Sequence, residues 1–449
     1  MTHDTATAEA WAALGGPAEL ARRVAHAGAR DVLPARLPVR ELARATVGAC
    51  SLAAAELLAR RNGGPVPSVS VHESAVATAF VSERHLRIDG RRPTAFAPLS
   101  GFWRTADGWL RTHANYPHHR ARLLAALDLP EHTDAPGLAD ALAPTSARTV
   151  QERVYAAGGL AVAVDAMPVP AGLPLVERRV LGTGGAVRAL PPASVPAQGV
   201  RVLDLTRVIA GPVATRTLAL LGADVLRVDP PRPREDDDAH ADTGLGKRSA
   251  RLDLNEPGDR TRFEELLAAA DVVVTGYRPG ALDRHGLAPE ELLARRPGLT
   301  VAQLCAWGWS GPWAARRGFD SLVQAAGGIA SAEASEDGTP GALPAQALDH
   351  GTGYLLAAAV LRTLTERRSS GDGRHLRLSL AGTASWLLHG LRPAPLDGPA
   401  HDPGPWLATL PSAYGPLRHA LPPVHYAGAP RTWERGPGRW GEDAPAWAR

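Results

Sequence analysis

Asp349 stands at the head of an alanine-rich helical stretch and is followed by His350-Gly351-Thr352-Gly353. A carboxylate in that setting can attack an acyl carbonyl, provided that the anion is partly stripped of water and that backbone N–H groups receive the developing oxyanion. The small residues after it would let an acyl group approach the backbone, and the positive end of the helix would keep the carboxylate ionised. Aspartate is also a common helix N-cap, and the residue types alone favour that role.

Other side chains admit similar pairs of readings. Lys247, Arg248 and Arg284 are suited to phosphate oxygens, whereas a lone basic residue is more often a solvated surface group. The turn Ile209-Ala210-Gly211-Pro212 suits either a ligand approaching a helix N-terminus or a tight strand-to-helix connection. Asp236-Asp237-Asp238 follows a Pro/Arg loop and reads as a solvated acidic face, so no metal is expected. His118-His119 lacks the spacing of a zinc-binding helix and sits in a polar segment, which predicts exposure. Cys50 and Cys305 are too few for a disulfide framework and lack zinc-site spacing, as fits a reducing compartment.

The elements that must position these groups follow from apolar periodicity. Val200–Leu205 reads as a strand, Val213–Leu221 as a helix and Ala223–Val228 as a second strand. A helix over 260–270, a strand over 271–274, a helix over 289–296 and a strand over 299–306 continue the alternation. This predicts an α/β fold with a parallel sheet covered by helices. The first turn lacks G-x-G-x-x-G, so NAD or FAD has little support. The Gly/Pro/Ala-rich stretch 182–199 reads as a linker between residues 1–181 and 200–449. The helix around Leu52–Leu57 and the strand Ser68–Val71 recur in order as Leu356–Leu361 and Leu376–Ser379, an internal repeat that sets Asp349 opposite Ala45.

With 449 residues, 45% of them hydrophobic, the chain can bury sizeable cores. Its 49 basic residues are interspersed with 46 acidic ones for a net charge of +3, so nucleic acid is not implied. Met1–Trp11 carries acids and no apolar run, so neither export nor a membrane partner is expected and the reading is cytoplasmic.

From Val202 to Pro231 the chain resembles the opening of family III CoA-transferases, which include formyl-CoA and carnitine-CoA transferases and alpha-methylacyl-CoA racemases. Gly246–Ser249, Leu252–Leu254, Arg278–Leu287, Gly308–Pro312, Gly318–Asp320 and Ala347–Asp349 are similar to that family's later motifs, in order. The resemblance implies a Rossmann-like fold, Asp349 as nucleophile, and CoA contacts at Ile209, Ala210, Lys247, Arg248, Tyr277 and Arg284. Pro98–Trp109 and Val154–Ala161 are similar to the family's small domain, which implies a smaller α+β domain supplied by the N-terminal half. Gly276, where the family often has asparagine, and the short loop between Pro231 and Gly246 depart from the pattern.

The implied reaction moves CoA from an acyl-CoA to a carboxylic acid through an aspartyl-CoA thioester, with no other cofactor and in a possible homodimer. An acyl-CoA racemase and a silent acyl-CoA-binding protein are the alternatives. Racemases of this family carry a histidine where Phe319 stands, and a phenyl ring cannot exchange a proton.

Overall fold

The protein is described here by a computed structural model covering residues 4–94, 96–182, 188–370, 372–394 and 397–448. Six parallel strands form its main sheet: Arg201–Leu205, Asp224–Asp229, Arg248–Arg251, Val272–Thr275, Thr300–Cys305 and Gly373–Ser379. Their spatial order is 3-2-1-4-5-6 by position in the chain. All four residues of Val272–Thr275 are buried, as in a strand with helices on both faces. In this doubly wound order the winding reverses between the first and fourth strands, which opens a crevice beyond their carboxyl ends.

A seventh strand, Glu177–Gly182, pairs antiparallel with Gly373–Ser379. It comes from the N-terminal half, so the expected boundary at 181/182 falls inside the shared sheet. Of the expected linker, 183–187 lie outside the described residues. The remainder is fastened by Arg61, whose guanidinium donates to the carbonyls of Pro191, Pro196 and Gln198 at 2.7–2.9 Å.

The repeat is present as helix, strand and helix. Val39–Asn62 and Ala347–Ser370, each 24 residues long, are followed by Val69–His72 and Gly373–Ser379, then by Glu73–Phe80 and Leu380–Ser385. The two long helices pack together, joined by the buried pair Glu56 and Arg362. Val39–Asn62 is apolar and long enough to cross a membrane by composition, but it is a core helix here, with 94% of its most apolar window buried.

The small domain pairs Phe102–Thr105, Gly108–Thr112 and Ala161–Ala163 in an antiparallel sheet. Helices Pro117–Ala126, Ala135–Leu142 and Ala147–Ala156 cover it around a separate core that includes Leu110, Leu123, Leu138 and Val154. This is the α+β unit expected from the N-terminal half. Its exit is tied to the helix Asp320–Ala326 by three backbone bonds, from the amides of Asp165, Met167 and Val169 to the carbonyls of Ala325, Ala326 and Gly327 at 3.0–3.1 Å. At the chain's far end, Trp433, Trp440 and Trp447 pin the final segment by indole bonds to Arg216 O, Asp229 Oδ2 and Leu266 O.

Candidate active site

A cavity of about 1000 Å³ occupies the crevice. Its floor is the carboxyl ends of the strands, at Leu205, Gly276 and Cys305, and the small domain closes one side with Tyr116, His118, His119 and Arg122. Open α/β sheets bind ligands at this reversal point. In the first loop Val208 holds a φ of 74°, a conformation that a β-branched residue adopts only under constraint, and its side chain lines the cavity.

Asp349 reaches the cavity wall from the third position of its helix and is 6% exposed. It is not the cap. The Asp320 carboxylate takes that part, accepting the amides of Leu348 and Asp349, the latter at 2.9 Å. Gln324 donates its side-chain amide to the other oxygen of Asp320 and is itself fixed by the Leu343 amide, 2.9 Å from Gln324 Oε1.

The two carboxyls therefore differ in support. Burial pushes Asp320 up to about 6, opposed by the donors that surround it. Asp349 has no hydrogen-bond donor among the described residues, and burial together with the charge of Asp320 raises it well above the ordinary carboxylate value. Asp320 thus carries the first negative charge of the pair, and Asp349 is a desolvated carboxyl facing open space.

The small residues after Asp349 serve packing rather than ligand approach. A Cβ on Gly351 would lie 2.8 Å from Leu42 Cδ2, and one on Gly353 would lie 2.5 Å from the Ala210 carbonyl. The glycines let two neighbouring helices come close. Nor are the amides here open to an oxyanion, since Asp320 holds those of Leu348 and Asp349 while His350 donates to Gln346 O at 3.0 Å. The helix Ala210–Leu220, whose first residue lines the cavity, has no side-chain cap on its first turn.

The structure brings Ala210, Tyr277 and Arg284 into the same cavity as Asp349. Ile209 precedes the helix as its N-cap and does not line the cavity. Lys247 and Arg248 are corrections. The Lys247 ammonium is 2% exposed, 3.0 Å from Asp204 Oδ2 and 3.2 Å from Pro212 O; burial pulls it down to about 8 against the pull of Asp204. It is a core ion pair that no phosphate reaches. Arg248 is engaged by Asp224 Oδ1 at 2.6 Å and by the Ala446 carbonyl of the final segment.

His119 is a third correction: it is buried at 4% exposure, as is His113 at 6%. Both rings pack on Phe319, His113 parallel at 4.0 Å and His119 edge-on at 5.9 Å between centroids. No local pattern reveals this, because the contact joins residues some two hundred positions apart. Of the acidic run, Asp236 caps a helix, while Asp237 and Asp238 pair with Arg234 and Arg91.

Residues 198–393 match the sequence profile of CoA-transferase family III. The probable fatty acyl-CoA transferase Rv3272 of Mycobacterium tuberculosis is 32% identical over 231 residues, 47% of this chain and 58% of the relative. The acetyl-CoA:oxalate CoA-transferase of Acetobacter aceti is 34% identical over 209 residues, 44% of this chain and 54% of the relative. The chain thus spans a little over half the length of these two relatives. The crystal structure of the hypothetical protein (Rv3272) from Mycobacterium tuberculosis aligns with a TM-score of 0.41 at 33% identity, covering 43% of this chain and 56% of that one.

Proposed function

We propose that this protein is a CoA-transferase working through Asp349. The observation that carries the reading is a buried carboxyl with no hydrogen-bond donor among the described residues, presented to a large cavity at the reversal point of a doubly wound sheet. Arg278, Arg284 and Arg317 line the same cavity without a carboxylate partner among the described residues, unlike Arg207, which is 2.9 Å from Asp229. Guanidinium groups without a carboxylate partner suit the phosphates of CoA.

In the proposed cycle the Asp349 carboxylate attacks the acyl-CoA carbonyl and the C–S bond breaks, giving a mixed anhydride and CoA thiolate. The thiolate then attacks the aspartyl carbonyl, releasing the donor's carboxylate and leaving aspartyl-CoA. An acceptor carboxylate attacks this thioester to form a second anhydride, and the thiolate cleaves that anhydride at the acceptor's acyl carbon. Asp349 is regenerated and the acceptor leaves as its CoA thioester. No redox partner or metal enters the balance.

The test is to incubate the full chain with one acyl-CoA donor at a time and a panel of carboxylic acids, and to follow acceptor-CoA by mass spectrometry. New acceptor-CoA formed in amounts exceeding the protein is expected. Donor hydrolysis alone, or binding without any product, would contradict the proposal.

A further inference from the structure

We propose that the His119 Nε2–H donates a hydrogen bond to the carbonyl oxygen that becomes negative when Asp349 attacks. The inference rests on the CoA-transferase reading above and assigns one more residue to its chemistry.

The Asp349 helix offers an oxyanion no free amide at its start. An oxyanion at Asp349 needs donors, and the amides at the start of the Asp349 helix are already spent on Asp320 and Gln346. The small domain contributes His119 to the same cavity, from the first turn of the helix Pro117–Ala126. Its ring packs edge-on against Phe319, whose neighbour Asp320 holds the Asp349 amide, and His119, Phe319 and Asp349 line the same cavity.

The ring's two nitrogens are unequal. Nδ1 is buried and has no partner among the described residues, whereas Nε2 is not in that condition and the residue lines open space. A proton on Nδ1 would be a buried donor with no acceptor, which costs more than leaving a lone pair there unused. The proton therefore belongs on Nε2.

The imidazole is also held neutral. Burial first, then the neighbouring His118, Arg317 and Arg122, push it down to about 3. A ring so weakly basic is a poor proton abstractor at neutral pH but a good neutral hydrogen-bond donor, a division of roles known for histidines with depressed basicity. The histidine missing at position 319 is thus not replaced as a proton carrier by this neighbour.

The test compares wild type with His119→Ala and His119→Gln in the full chain, using one active donor and acceptor pair. The glutamine amide keeps an N–H donor at similar reach. We expect kcat to fall about 10²–10³-fold in His119→Ala, with acyl-CoA affinity within about tenfold, and His119→Gln to recover most of the loss. The ratio of wild-type to alanine-variant rates should stay constant from about pH 5 to 9, since a neutral donor does not titrate there.

An alanine variant with unchanged kcat in an active protein would overturn the role of His119 alone. A ratio that collapses through neutral pH, or alpha-carbon deuterium exchange that disappears with the ring, would overturn it by showing a charged or proton-carrying imidazole. Loss of turnover in both variants together with a lowered melting temperature would reduce it to packing. A wild type that transfers no CoA would bring down this inference with the reading beneath it.

Discussion

The Asp320 carboxylate accepts the backbone amide of Asp349 at 2.9 Å, so the helix that bears Asp349 is capped by a residue 29 positions earlier in the chain. That contact frees the Asp349 side chain from a structural duty while placing a second carboxylate close enough to disfavour its ionisation.

A stability test follows from the sign of the shift. An acid whose pKa is raised on folding binds its proton more tightly in the native state, so it contributes stability below its unfolded value that is lost as pH rises through the folded one. Asp349→Asn should therefore raise the melting temperature above about pH 6, by a margin that grows with pH, and give little change near pH 3. A variant less stable than wild type at pH 8 would show Asp349 to be a structural residue.

Asp320→Ala should act in the opposite direction. It removes the helix cap and strands the Gln324 amide, at a cost of about 0.5–2 kcal/mol for the cap alone, measurable by urea titration at pH 7. Catalysis should suffer as well, because the start of the Asp349 helix loses its anchor. Unchanged stability would contradict the capping geometry.

The pH dependence of kcat/KM reports the free protein's essential groups. With Asp320 ionising at about 6 and Asp349 held higher by burial and by that charge, kcat/KM should rise with pH above 6 and reach its plateau only after the pair's second deprotonation. A profile already flat at pH 5 would show that Asp349 is not so perturbed.

Lys247 and Arg284 should separate cleanly. Lys247→Met leaves the buried Asp204 carboxylate without its cation, a loss of about 3–5 kcal/mol that appears as unfolding rather than as weakened CoA binding. Arg284→Ala, on an exposed cavity rim, should weaken acyl-CoA binding measured by calorimetry and leave the melting temperature within about 1 °C. The reverse pattern would restore Lys247 as a ligand.

The fragment 200–449 should not keep its sheet intact on its own. It would lose the edge strand Glu177–Gly182, uncovering Gly373–Ser379, and the helix Val39–Asn62 that buries one side of Ala347–Ser370. The fragment should aggregate or bind a dye for exposed apolar surface. A monomeric, cooperatively melting fragment would contradict this.

Much of the sheet was legible because parallel strands are covered on both faces and read as apolar runs: 200–205 and 299–306 were placed within a residue or so of Arg201–Leu205 and Thr300–Cys305. Arg248–Arg251 was missed as a strand, since its arginines mask its burial on the sheet edge. The antiparallel strand Glu177–Gly182 was missed because five of its six residues are partly or fully exposed and its pairing partner lies in the other half of the chain. Within the site, sequence could point to Asp349, Ala210, Tyr277 and Arg284, each next to a turn or strand end. It could not separate Lys247 from these, because a lysine bound for a buried ion pair and one bound for a phosphate look alike until Asp204 is placed. His119 was hidden for the same reason, its burial being set by Phe319.

The central claim is tested most directly by trapping. Hydroxylamine added while wild-type protein turns over an acyl-CoA and an acceptor acid should convert the activated aspartyl group to a hydroxamate, located by peptide mass spectrometry at Asp349. Asp349→Asn should yield no such adduct, keep acyl-CoA affinity within about tenfold and lose several orders of magnitude in turnover. A hydroxamate on another residue, or substantial turnover by Asp349→Asn with the same donor, would contradict the assignment of Asp349 as the nucleophile.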